Sequence, residues 1–167
     1  MEFIIGFDFQ EFGYTLDEFR KEFIITSDIS DNAEEDLIKD NPCHLMAFRE
    51  NQKILGWAIW HESSTTEHGK GYPRDEKDRK ILERLTNGER DVIELHELWL
   101  KKKYRGKGYG EQFFEFFENF VRERGYKIIV YYADDPAAIT LCRRHGYREE
   151  FNKELKWFTF CKNIEMA

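Results

Sequence analysis

Residues 92–110 decide the architecture: Val92-Ile93-Glu94-Leu95-His96-Glu97-Leu98-Trp99-Leu100, then Lys101-Lys102-Lys103-Tyr104, then Arg105-Gly106-Lys107-Gly108-Tyr109-Gly110. The first nine residues read as a strand, and residues 111–124 read as a strongly amphipathic helix closed by Gly125. Between them three glycines alternate with Lys107 and Tyr109 immediately ahead of the helix. The backbone can therefore approach a phosphate closely, with free N–H groups and the helix dipole to bind it, and the loop suits a pyrophosphate. Residues 127–133 form the next strand, which completes a βαβ unit.

A basic, glycine-rich turn does not by itself choose one ligand. The spacing lacks the Gly-Lys-Ser/Thr end of a Walker loop, and a dinucleotide fingerprint would need its third glycine one residue after Gly110. Asp134, just past the following strand, could act as a ribose-binding acid, which keeps a nicotinamide reading open. Lys101, Lys102 and Lys103 read either as a solvated basic edge or as a nucleic-acid patch.

Working towards the N-terminus, residues 63–90 are polar and charged. They hold one helix candidate at 75–86, with Ile81, Leu82 and Leu85 inward and Asn87-Gly88 as its stop. This is an inserted excursion, read either as a surface flap or as a lid. Residues 44–48 and 54–61 flank the turn at 50–53 as an antiparallel hairpin, and the second strand is apolar on both faces. Residues 3–9 read as a first strand. Thr15 and Glu18 have capping-box spacing for a helix from about residue 16, and a second short helix is expected near residue 31. The acidic cluster Asp28, Asp31, Glu34, Glu35, Asp36 and Asp40 is a solvated face, an electrostatic guide for a basic substrate, or both. Towards the C-terminus, Asp135-Pro136 caps and starts a helix ending at His145-Gly146. The aromatic strand at 156–161 follows, either an edge able to pair with a second copy in a homodimer or a core strand.

The 167 residues are read as one domain, 1–167, with the excursion at about 63–90 inside it. A net charge of −7 disfavours nucleic acid and favours a cationic partner. No run of residues is long and apolar enough for a membrane helix, and the N-terminal residues lack signal-peptide character. Cys43, Cys142 and Cys161 are odd in number, far apart and without a CxxC, which points to reduced thiols in a cytoplasmic protein and to no metal site.

Arg105, Gly108 and Gly110 match the Arg/Gln-x-x-Gly-x-Gly/Ala element of the GNAT superfamily of N-acetyltransferases, and residues 135–147 resemble its Asn-x-x-Ala-x-x-Leu-Tyr-x-x-x-Gly-Phe segment. The resemblance is detailed over residues 94–147 and architectural before them. It implies an α/β (α+β) fold: a mixed, mainly antiparallel sheet, splayed near Leu100, with helices on both faces. It also implies acetyl-CoA as cosubstrate and direct acetyl transfer to an amine, without a metal. Backbone groups of Leu98, Trp99 and Leu100 would take the pantetheine arm, with the N–H near Leu100 facing the oxyanion. Those of Arg105, Gly106, Lys107, Gly108, Tyr109 and Gly110 would take the pyrophosphate.

The family's acid/base groups lie on the strand before the loop. Here Glu94 and His96 alternate along it and project to one face, which makes them the candidate bases, Glu94 ahead of His96. Glu97 joins them only if a bulge reverses the alternation. Cys142 stands where the family has the Tyr that serves the departing thiolate; it is a weak candidate acid or simply core. The rival readings are a non-catalytic acyl-CoA-binding regulatory module and a nucleotide-binding protein.

Overall fold

The computed structural model describes residues 2–5, 44–51, 53–67 and 73–165. Strands β1 (Glu2–Ile5), β2 (His44–Glu50), β3 (Lys53–Ser64), β4 (Asp91–Leu100), β5 (Ile128–Ala133), β6 (Arg148–Asn152) and β7 (Trp157–Asn163) are hydrogen-bonded in the order β1-β2-β3-β4-β5-β7-β6. The described helices are α1 (Glu76–Thr86), α2 (Tyr109–Glu123) and α3 (Pro136–Arg144), and a 3-10 turn covers Lys102–Tyr104. Pairing is parallel between β4 and β5 and antiparallel for β1–β2, β2–β3, β5–β7 and β6–β7, so the sheet is mixed and mainly antiparallel as expected. The helices expected from about residue 16 and near residue 31, the acidic cluster, Cys43 and the second half of the first strand lie outside the described residues. None of the described helices is long and apolar enough to cross a membrane.

The chain forms two compact units, one of Met1–His61 and Glu97–Lys107, the other of Glu62–His96 and Gly108–Ala167. In the first, Glu50 pairs with Lys53 and leaves a two-residue turn, where Asn51 takes φ 52. Asparagine tolerates that left-handed conformation better than most residues. Residues 54–60 of β3 are all buried, so both faces of the strand are covered, as its apolar pattern requires. Gly56 is what brings β4 close to β3: a Cβ there would lie 2.3 Å from the Trp99 carbonyl oxygen and 2.5 Å from Phe48 Cε2. Beside it the Lys101 N–H donates to Leu55 O at 2.8 Å, and the Trp57 and Trp99 rings lie 6.4 Å apart.

In the second unit α1 ends as its sequence predicts. Asp75 caps it by accepting from the Asp78 N–H at 2.9 Å, and Asn87 closes it at φ 54. Its apolar residues Ile81, Leu82 and Leu85 pack with Val92, Ile128, Val130 and Cys161. Burying each such side chain contributes about 1.5–3 kcal/mol, so the excursion is held by a real core contact. On α2, Phe113, Phe114, Phe117 and Val121 are buried at helical spacing.

The C-terminal strand differs from one of its two expectations. β7 pairs with β5 on one side and β6 on the other, so it is core, and the edge is β6. β6 has no counterpart in the sequence reading because Arg148-Glu149-Glu150 carries little strand propensity. Its charges are instead paired, Glu149 with Arg143 at 2.8 Å and Glu150 with Arg84, and such groups blunt an edge against further pairing.

Candidate active site

Two features of the strand–loop–helix segment set the candidate site: polar side chains on β4 and the backbone of the loop after it. In an extended strand, residues two apart share a face. Accordingly a carboxylate oxygen of Glu94 and a ring nitrogen of His96 lie within 4.8 Å of each other. Glu94 is fully buried, opposite Val130 of β5 in the parallel ladder, and His96 is half-buried. The side chain of Glu97 lies outside the described residues.

The buried carboxylate is matched by a cation from the excursion. Arg74, just before α1, places Nη1 and Nη2 each 3.3 Å from Glu94 Oε1, and the two side chains are 1% and 0% exposed. The same guanidinium donates through Nη1 to Asp78 Oδ2 at 3.1 Å and to the Tyr132 hydroxyl at 2.9 Å. Its remaining reach is to β3, with Nη2 donating to Ser63 Oγ and Nε to Ser64 O, both at 2.8 Å. Tyr132 in turn donates to Asp78 Oδ1 at 2.8 Å.

Burial works to lower the Arg74 pKa, but Glu94, Tyr132 and Asp78 more than reverse that, so the guanidinium stays charged. Burial first, and then the negative charge of Glu94, push the Tyr132 phenol far above the ordinary tyrosine range. The result is a carboxylate in a dry setting set against a charged guanidinium, with every arm of that fork engaged. None of Arg74, Asp78 or Tyr132 was identified from the sequence. The available signal was indirect: a capped amphipathic helix must dock its apolar face on the sheet, which carries the residues around its cap with it.

At the end of β4, Leu98 and Leu100 are half-buried and Trp99 is buried. Arg105 turns back on this strand, its Nε donating to Leu100 O at 2.9 Å and its guanidinium lying 5.8 Å from the Trp99 ring centre. The Arg105 side chain thus braces the loop. Gly106 and Gly108 take φ 75 and φ 86, and a Cβ on either would meet nothing within 4 Å, so the loop backbone faces open space. Such left-handed positions cost glycine nothing and other residues about 1 kcal/mol or more.

Gly108 is the N-cap of α2 and offers no side chain to its first N–H groups, which point from the helix start as in anion-binding turns. Gly110 is tighter, since a Cβ there would lie 2.9 Å from Leu141 Cδ2. Lys107 is exposed and Tyr109 half-buried. Open glycines at the start of a helix are the kind of backbone that can take an anion.

Cys142 is elsewhere in character. It is fully buried, and burial first, then the carboxylates of Asp135 and Glu149, push its thiol up to about 12. Such a thiol holds its proton firmly at neutral pH.

A model described as the acetyltransferase (GNAT) family matches residues 12–147. Among solved structures, an agmatine N-acetyltransferase is similar at 13% identity and TM-score 0.63, over 97% of this chain and 100% of that one. A polyamine N-acetyltransferase of Drosophila melanogaster, which forms N-acetylagmatine, is similar at 14% identity and TM-score 0.63, over 97% and 100%. A GNAT family acetyltransferase from Elizabethkingia anophelis with acetyl-CoA bound follows at 12% and 0.62, over 97% of each chain. At these identities the structural likeness is one of fold. No curated protein matches the sequence.

Proposed function

Since this chain belongs to the acetyltransferase (GNAT) family, whose cosubstrate is acetyl-CoA, we propose that it moves an acetyl group directly onto an amine, with His96 as the proton acceptor. One observation carries the choice of residues. A half-buried imidazole stands within 4.8 Å of a buried carboxylate, on the strand that runs straight into the glycine loop. Glu94 supports this role: its charge is held by Arg74, so it stabilises an imidazolium beside it better than it accepts a proton itself.

The chemistry needs such a group. An alkylammonium near pKa ~10.4 must lose a proton to an imidazole near ~6.5, which is uphill by about 4 pH units, or roughly 5 kcal/mol. A carboxylate fixed next to the imidazole reduces that difference. His96 takes the ammonium proton, the freed nitrogen forms the amide bond at the acetyl carbonyl, and the carbon–sulfur bond breaks. The attacking nitrogen still carries a second surplus proton, which the departing thiolate takes up, while His96 releases the first to solvent, so one neutral amide, one thiol and one free proton result. Leu98, Trp99 and Leu100 align the pantetheine arm, and the N–H near Leu100 faces the developing oxyanion. The backbone from Arg105 to Gly110 takes the pyrophosphate, with Arg105, Gly106, Lys107, Gly108, Tyr109 and Gly110 as its contacts. In this reading Cys142 packs and does not donate, since its thiol at about 12 is a poor acid.

The acceptor is a small-molecule amine, polyamine or peptide amine, and a cationic one suits a net charge of −7. Agmatine and polyamines are the first to assay because structural neighbours act on them. A cytoplasmic setting fits the free thiols of Cys142 and Cys161.

The second reading, a non-catalytic acyl-CoA-binding module, is favoured by the absence of an effective acid at Cys142. Turnover separates the two. Coenzyme A release is measured with acetyl-CoA and agmatine, spermidine, an aminoglycoside or a lysine peptide. Acetylation that falls about 10²–10⁴-fold in His96→Ala supports the proposal. Acetyl-CoA binding without turnover on any amine supports the module, and stabilisation by NAD or ATP in its place would remove both.

A further inference from the structure

We propose that Arg74 is a positioning residue of the acetyl transfer: acting through Glu94, it holds that carboxylate as an oriented anion beside His96. This rests on the reading of Glu94 and His96 given above. Arg74 has the geometry for it. Both terminal nitrogens reach Glu94 Oε1 at 3.3 Å, while Asp78, Tyr132, Ser63 and Ser64 O hold the rest of the fork. Six contacts drawn from β3, β4, β5 and α1 leave the guanidinium one orientation. A carboxylate with no exposure would otherwise protonate or turn away from the dry sheet face, because an unpaired buried charge is strongly disfavoured.

The arrangement also explains why a polar excursion interrupts the chain between β3 and β4. The excursion delivers a cation that neither strand carries at this place. Docking of Ile81, Leu82 and Leu85 fixes α1, the Asp75 cap fixes its first turn, and Arg74 is the residue before that cap. Packing energy in the core of the second unit is thereby converted into the position of one charge beside the reacting pair.

Among the described residues, the charged and titratable groups around the pair include Arg74 from the excursion, Asp78 from α1, Tyr132 from β5, and Glu94 and His96 themselves on β4. β3 carries a further titratable group, buried His61, two residues before Ser63. Removal of the Arg74 cation makes the Glu94–His96 pair take up a proton at higher pH, whichever member holds it, because an opposite charge at this distance lowers a carboxylate by about 1–3 pH units.

The test is the pH profile of kcat/KM for wild type, Arg74→Gln and Arg74→Lys. Arg74→Gln is expected to move the acidic limb up by about one pH unit or more and to lower kcat below it, and Arg74→Lys to return the limb to within about half a unit of wild type. A limb unmoved in Arg74→Gln, with kcat lowered uniformly at every pH, overturns the proposal and leaves Arg74 a structural clamp. So does a limb that Arg74→Lys moves as far as Arg74→Gln does.

If Arg74→Gln does not fold, Asp78→Asn decides with the opposite sign. It removes an anion from the fork, so the limb should move down by about half a unit, and no movement overturns the idea. An inactive wild type removes the acetyl-transfer reading and this inference with it. An active wild type whose limb depends on His96 but not on Arg74 removes only the inference.

Discussion

Gly56→Ala is the substitution with the largest consequence that the structure makes plain. The added Cβ would sit 2.3 Å from Trp99 O, 2.5 Å from Phe48 Cε2 and 3.1 Å from Leu100 Cα. An ordinary carbon–oxygen contact is about 3.3–3.6 Å, so the first overlap is about 1 Å, and a backbone carbonyl in a strand cannot rotate out of the way. Phe48 is fully buried and has no room to yield either. Relief has to come from moving the end of β4 away from β3, which strains the 2.8 Å bond from Lys101 N–H to Leu55 O.

Overpacking of this kind costs about 1–3 kcal/mol, and with backbone as the obstacle the upper end, about 3 kcal/mol, is expected. For a chain of this length that is a fall in Tm of about 6–12 °C. The displaced residues are those assigned to the acyl arm, so binding should suffer as well. At 100 times Kd, acetyl-CoA adds about 2.7 kcal/mol to stability, and a tenfold weaker Kd reduces this to about 1.4 kcal/mol. Urea unfolding with and without acetyl-CoA measures both effects. Gly110→Ala is the internal control: its Cβ meets only the Leu141 side-chain end at 2.9 Å, and helix propensity offsets the crowding, so its stability should change by less than about 1 kcal/mol. A Gly56→Ala protein destabilised by less than about 1 kcal/mol, with the acetyl-CoA increment intact, would refute the reasoning.

Two further outcomes can be stated briefly. Cys142→Ala is expected to keep kcat/KM within about twofold while losing about 1–2 kcal/mol of stability to the small cavity, and a tenfold fall in turnover would assign the thiol a chemical part. Tyr132 has its pKa raised in the folded state, so its contribution to stability is complete below about pH 10, the unfolded value, and is lost as pH rises above it. Urea midpoints of wild type and Tyr132→Phe should therefore differ by a constant amount up to about pH 10 and converge beyond it; a constant difference at pH 11 would contradict the shift.

Much of the frame was legible because it is encoded locally. Asp75 and Asn87 bound α1, Asp135 caps α3 by accepting from the Ala137 and Ala138 N–H groups at 2.9 and 3.2 Å, and Gly106 and Gly108 take the left-handed turns that a loop onto a helix start requires. Each feature depends on residues within a few positions of one another, where spacing and propensity speak directly. The alternation of Glu94 and His96 on one strand face is of the same kind.

What chain order could not supply were the encounters. β6 is a strand because β7 offers it a ladder and Arg84 and Arg143 offer its glutamates partners; its own residues argue weakly for it. Arg74 lies 20 residues before Glu94 and 58 before Tyr132 in a stretch that reads as solvated. Only folding removes that guanidinium from water and sets it against a carboxylate. The residue types on β4 and its loop therefore name the chemistry, while the protonation state and direction of the groups that perform it depend on burial and on neighbours distant in sequence, which exist only once the sheet has formed.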